Sequence, residues 1–225
     1  MSVILNIDTA TEKAHVSFAR DGKLLHAIWS ESQKDHASFL QSAVSELTKI
    51  TGIKLQELDA IAVTAGPGSY TGLRVGLSSA KGLCYALKKP LIAMSTLEVM
   101  TTSVILAFPE LDNDILYCPM IDARRMEVFT AVYKKDLSQW LAPCPMILDE
   151  FSFSKELASH RIIFFGPGSA KWEPICRHTN ALFEKKYFLS EAMAHYSHIL
   201  HFQGLFSDLA YSEPFYLKEF QTVSK

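Results

Sequence analysis

The sequence predicts an α/β protein of two related lobes, each a mixed sheet with flanking helices. Three observations carry that expectation. Three strand patterns open the chain in immediate succession. A glycine corner, IAVTAGPGSYTGLRVG over Ile61–Gly76, then joins a fourth strand to a helix. Both landmarks recur in the same order in the second half.

Taken in order, Val3–Ile7 is an apolar run ended by Asp8, Thr9 and Ala10. Lys13–Ala19 reads as a second strand, and Asp21-Gly22 as a hairpin turn into a third at Leu24–Trp29. Asp35 is a candidate N-cap for a helix whose apolar stripe is Phe39, Leu40, Ala43, Val44, Leu47 and Ile50, closed by Gly52. A fourth strand, Ala60–Thr64, leads into Gly66-Pro67-Gly68, where glycine permits a sharp turn and a close backbone approach. The helix from Leu73 carries small residues at Gly72, Gly76 and Ala80, with Ser79 beside them. Glycine weakens a helix by roughly 1 kcal/mol against alanine, so this stripe calls for a close neighbour. That neighbour is either an element of the same chain or a helix of a second one. Leu91–Ala93 gives another short strand, and a further helix starts near Thr96.

In the second half, Tyr117–Asp122 and Val128–Tyr133 repeat the opening strands, Ile121-Asp122-Ala123 answering Ile7-Asp8-Thr9. Gly166-Pro167-Gly168-Ser169 then answers Gly66-Pro67-Gly68-Ser69, across a shorter interval. The link falls near Leu106–Asp114, where Pro109, Asp112 and Asn113 interrupt the apolar pattern. The lobes are therefore expected at 1–108 and 109–225, the tail of the second packing back on the first. Met193–Phe206 is helical in pattern. Two copies of an antiparallel-then-parallel sheet predict the actin and sugar-kinase architecture, a duplicated ribonuclease H-like fold that binds nucleotide between its lobes.

Bulk properties narrow the function classes. The 225 residues are 48% hydrophobic and 20% charged, ordinary values for a soluble globular protein. A net charge of −2 provides no global basic field for nucleic acid. Cys84, Cys118, Cys144 and Cys176 form no C-x-x-C pair, which argues against a zinc knuckle and for free thiols in a reducing compartment. No apolar run reaches membrane-spanning length and no secretory signal is evident, so a soluble cytoplasmic protein is expected.

Several residues are candidates for chemistry. Ser69, Tyr70 and Thr71 stand at a helix entrance, where hydroxyls cap free N–H groups and an anion docks well. The same residues also make an ordinary capped turn. The Lys-Ser/Thr pair of a Walker A loop is missing, and Ser69 is not framed as Gly-x-Ser-x-Gly. Asp8 either orients a metal-bound water or phosphate or closes an Asx turn, and Asp122 repeats it. Arg124 and Arg125 have two readings, bidentate phosphate binding or a surface ion pair with Glu127. His195, His198 and His201 recur in steps of three, which drift around a helix and do not place the outer two on one metal-binding face. No nucleophile held against a base can be assembled, which leaves a peptidase reading unsupported.

VILNIDTAT at the N-terminus and GPGSYTGLRVGLSSAKGL at the corner resemble the TsaB (YeaZ) family, through roughly the first hundred residues. Pro214-Phe215-Tyr216-Leu217-Lys218 is similar to that family's Pro-x-Tyr-Leu-Arg ending, with lysine for arginine. The resemblance implies a non-catalytic subunit in tRNA threonylcarbamoyladenosine synthesis, paired with the catalytic TsaD and joined by the ATPase TsaE. It implies pairing through the helices near Asp35–Ile50 and Thr71–Leu87. The candidate interface is then Phe39, Leu40, Ala43, Val44, Leu47, Gly72, Leu73, Gly76 and Ala80, a face that forms a homodimer when the partner is absent. TsaD carries a metal-binding histidine pair on the helix after its corner, whereas the matching Ser95–Met100 holds no histidine. No catalytic residue, metal or required cofactor is implied. ATP or ADP is expected at most at the complex interface, with Asp8, Gly68, Ser69 and Thr71 as candidate phosphate contacts. tRNA is expected to be met only through the complex. The alternatives are an ATP-hydrolysing actin-like protein using Asp8 and Asp122, a plain nucleotide-binding regulator that binds ADP without turning it over, or a glycoprotease-type peptidase.

Overall fold

The computed structural model describes residues 1–30 and 36–218; the helix cap expected at Asp35 lies outside them. The described residues form two compact units, those of 1–99 with 189–216 and those of 100–188 with 217–218. A single cut at residue 108 does not separate these units, because the first contains chain from both halves of the sequence.

In the first unit β1 (Val3–Asp8), β2 (Ala14–Arg20) and β3 (Lys23–Ser30) pair antiparallel in succession. Helix α1 (His36–Thr51) and β4 (Ala60–Gly66) follow, then α2 (Tyr70–Leu87) and β5 (Leu91–Ser95). β4 adds parallel to β1 and β5 parallel to β4, giving the order β3-β2-β1-β4-β5. Side chains alternate across a strand, so the sheet has two separate faces. Leu5, Ile7, Val16, Phe18, Ile61 and Val63 pack beneath Leu40, Ala43, Leu47, Leu77 and Ala80 of α1 and α2. Ile4, Ala60, Ala62, Ile92 and Met94 point to the other face, against Ala192 and Met193 of a later helix. Burying one such Leu or Ile side chain stabilises the fold by about 1.5–3 kcal/mol.

The second unit repeats the topology. Helix α3 (Thr96–Ala107) leads to β6 (Leu116–Asp122), β7 (Glu127–Tyr133) and β8 (Gln139–Ile147). α4 (Ser154–Leu157), β9 (Ile162–Phe165), α5 (Ser169–Trp172) and β10 (Ala181–Glu184) follow. The order β10-β9-β6-β7-β8, with β6, β7 and β8 antiparallel and β6, β9 and β10 parallel, is the first sheet's order read in reverse. This is the duplicated actin-like plan. Its core is aromatic: Phe153, Phe164 and Phe183 surround Trp172, whose Nε1–H donates to Asp149 O at 2.8 Å.

Helix α6 (Leu189–Phe202) returns the chain to the first unit and covers the face of Ile4 and Ala62. A strap follows. Ser207 N–H donates to Leu91 O (2.8 Å), and Ala93 N–H donates to Ser207 Oγ (3.0 Å). Further along, Lys81 Nζ reaches Ala210 O and Ser212 O, and Phe215 N–H donates to Ala65 O at 2.7 Å. Arg74 finishes it, donating to Tyr216 Oη at 3.1 Å while its guanidinium lies 4.1 Å over Tyr70.

Candidate functional site

The glycine corner is built on contacts within the first unit. At Gly66, with φ +128°, an added Cβ would lie 2.3 Å from Phe215 O of the strap. At Gly68 it would lie 2.3 Å from Ala10 O, the same carbonyl that accepts Ser69 N–H at 2.7 Å. Ser69 is the N-cap of α2, its Oγ accepting Gly72 N–H at 3.3 Å. Of the four candidate phosphate contacts, Gly68 and Ser69 are thus engaged by the fold itself, and Thr71 is exposed.

The fourth, Asp8, is 1% exposed. Its Oδ1 accepts Ala10 N–H (2.9 Å) and Thr64 Oγ–H (2.7 Å), an Asx turn locked to β4. Asp122 closes the second hairpin the same way, accepting Arg124 N–H at 2.6 Å and pairing with Lys171 at 2.7 Å. Opposite Asp8 in the β1–β2 register stands His15, wholly buried and stacked on Trp29 at 4.5 Å. Burial pushes the His15 imidazole below its ordinary value of 6.5; Asp8, whose Oδ2 lies 3.7 Å from Nδ1, and then Glu191 oppose this only partly. A histidine held neutral in the fold takes up its proton more readily when unfolded, so stability falls as pH drops below about 6.5. Chemical unfolding at pH 8, 7, 6 and 5 should show that decline, and His15→Gln should flatten it. An equal decline in the variant would show that His15 is not its source.

The small-residue stripe of α2 also has an internal neighbour. A Cβ at Gly72 would fall 2.0 Å from Thr9 O, and one at Gly76 2.2 Å from Thr9 Oγ1. Thr9 Oγ–H itself donates to Gly72 O at 2.7 Å. These glycines admit the β1–β2 turn against the helix. Leu40, Ala43, Val44, Leu47, Leu73 and Ala80 are buried in the core as well, and Phe39 is partly buried against it. The apolar stripe named from sequence as an interface thus packs on the chain's own sheet, and of it Leu40 and Val44 also line the groove between α1 and α2.

What α1 and α2 offer to solvent is a groove of about 560 Å³ between them. Ile7, Leu40, Val44, Leu55 and Leu83 contribute apolar lining, and Gln41, Ser45, Thr48, Ser79 and Gly82 contribute polar or small residues. Gly82 is exposed, and a Cβ there would meet nothing within 4 Å. Sequence reading named Leu40 and Val44 but missed Gln41, Ser45, Thr48, Leu55, Gly82 and Leu83; a third glycine in one helix, off the buried stripe, was the available signal.

The histidines of α6 do not converge. His198 Nδ1 lies 2.9 Å from Ser2 Oγ, and His201 packs edge-on to Phe206. Among the described residues no group of three His, Cys, Asp or Glu is placed to hold a metal ion. α3, the helix that follows β5, contains no histidine, and its Glu98 accepts the Tyr196 hydroxyl at 2.8 Å. No helix among the described residues is long and apolar enough to cross a membrane.

Residues 28–213 match the family model described as TsaD: tRNA N6-adenosine threonylcarbamoyltransferase. The tRNA threonylcarbamoyladenosine biosynthesis protein TsaB of Bacillus subtilis is 32% identical over 167 residues, 72% of this chain and 70% of the relative. The chain belongs to the TsaB (YeaZ) family. TsaB of Escherichia coli is 34% identical over 133 residues, covering 59% of this chain and 55% of that protein. The structure of YeaZ from Pseudomonas aeruginosa superposes with a TM-score of 0.75 at 25% identity, over 96% of this chain and 100% of that one. Membership places the chain among proteins of the tRNA threonylcarbamoyladenosine pathway.

Proposed function

We propose that this chain is the non-catalytic subunit of a tRNA threonylcarbamoyltransferase assembly, holding the catalytic subunit TsaD in its competent state, with the ATPase TsaE joining them. The observation that carries this reading is the α1–α2 groove, whose apolar residues are flanked by small and polar ones. Such a surface suits a facing helix: the apolar lining supplies buried area and the small residues set the approach distance. A second copy of the chain competes for the same face when TsaD is absent. The chain needs no cofactor of its own, and ATP or ADP belongs to the assembled interface.

The residues expected of an ATP-hydrolysing relative are committed elsewhere. Asp8 and Asp122 each close a hairpin turn and hold a second partner, Thr64 and Lys171 respectively. The test is threonylcarbamoyl transfer to tRNA by purified TsaD and TsaE with the adenylate donor, with and without this chain. Transfer should require the chain, which alone should be inactive. Transfer indifferent to it would defeat the reading.

A further inference from the structure

At the tip of the β6–β7 hairpin, Arg124 and Arg125 are both exposed and both hold left-handed backbone, with φ of 72° and 48°. The turn is tied by Ala123 N–H to Glu127 O and Glu127 N–H to Arg124 O, each at 3.0 Å. The two acids of the hairpin itself, Asp122 and Glu127, are each paired with a lysine. Lys171 pairs with Asp122 at 2.7 Å, and Lys218 with Glu127 at 2.9 Å. Sequence offered Glu127 as partner for these arginines; lysine has taken it, and among the described residues neither guanidinium has an ion pair. Beside the tip, Leu148 N–H donates to Met126 O at 2.8 Å, and the following turn presents Phe151, 71% exposed. That turn is held by Phe151 N–H and Ser152 Oγ–H on Asp149 Oδ1.

We propose that Arg124 and Arg125 form an RNA-backbone contact, gripping phosphates of the tRNA while Phe151 offers a ring face to an unstacked base. Guanidinium binds phosphate oxygens in a bidentate fork, and a rigid turn loses little freedom on binding. Exposed aromatics beside arginine are the usual means of holding single-stranded RNA. The overall charge of −2 supplies no field, so the contact is local and weak in isolation. Glu150, exposed beside Phe151, opposes a phosphate there. The choice of RNA over an acidic protein surface rests on the pathway reading above.

The test is fluorescence anisotropy of the full chain titrated into labelled unmodified tRNA across a salt series, with TsaD co-elution measured separately. Arg124→Asn/Arg125→Asn keeps residues that accept left-handed backbone while removing both charges. It should weaken binding at least tenfold at low salt and lower the log–log salt slope by about 1.4–1.8, for two phosphates released. Arg124→Lys/Arg125→Lys should retain most of the slope, and Glu150→Gln should tighten binding. No salt-dependent binding by the unaltered chain, or an unchanged slope in the Asn variant, overturns the proposal. Loss of TsaD co-elution with tRNA affinity intact overturns it in favour of a protein contact. Failure of the unaltered chain to co-elute with TsaD sinks the subunit reading instead, and leaves the tRNA measurement to stand alone.

Discussion

Gly72→Ala should destabilise this protein, although the same change in an ordinary helix interior stabilises by roughly 1 kcal/mol. The added methyl would stand 2.0 Å from the Thr9 carbonyl, a backbone atom that cannot rotate aside. Either α2 lifts from the sheet or the β1–β2 turn opens, at a net loss of about 2–4 kcal/mol. Gly76→Ala meets a softer obstacle, the Thr9 hydroxyl, which can turn away only by giving up its bond to Gly72 O. Thr9→Ala should therefore rescue much of the Gly76→Ala loss and none of the Gly72→Ala loss. Urea midpoints of the singles and doubles measure this directly. A raised midpoint for Gly72→Ala would mean that the close packing of turn on helix is not as described.

Gly82→Arg should do the opposite, leaving the fold intact and removing the proposed partner. Its Cβ direction is open and its position exposed, so the isolated chain should gain the helix propensity that glycine forfeits. In the groove, however, a guanidinium would fill the space into which a facing helix must come. Affinity for TsaD is expected to fall at least a hundredfold, about 2.7 kcal/mol, with the same loss of transfer activity at limiting concentration. A variant that is more stable yet assembles as well as the parent would place the partner elsewhere. Together the two glycine experiments separate the helix's inward face from its outward one.

That separation was not available from sequence. Period and composition identify an apolar stripe on α1 and a small one on α2, and both are real. Periodicity cannot say whether a stripe faces its own sheet or another chain, because both demand the same residues. The β1, β2 and β3 run, the corner and its repeat were legible because Asp-Gly turns and Gly-Pro-Gly breaks have local causes. β8 was hidden by Pro143 and Pro145, which argue against a strand; it lies at a sheet edge, where a missing N–H is tolerated. β10, four half-buried residues, carries too short a pattern to be distinguished. α6 starts at Leu189, ahead of Met193, and stops at Phe202, because the chain beyond becomes the strap. At Asp8 the sequence left a catalytic and a turn-closing role open, and only the Ala10 and Thr64 bonds identify the turn.

The strap and α6 carry a consequence for how the protein comes into being. Residues 1–99 contain the whole first sheet, but the cover for Ile4, Ala62 and Ile92 belongs to residues 189–216. A ribosome delivers the sheet first and its cover last, at roughly 5–20 residues per second, so the bare face waits on the order of 10 s. During that interval the nascent chain offers an apolar sheet surface to any holdase near the exit tunnel. The second unit draws most of its residues from the intervening 100–188 and can close in the meantime.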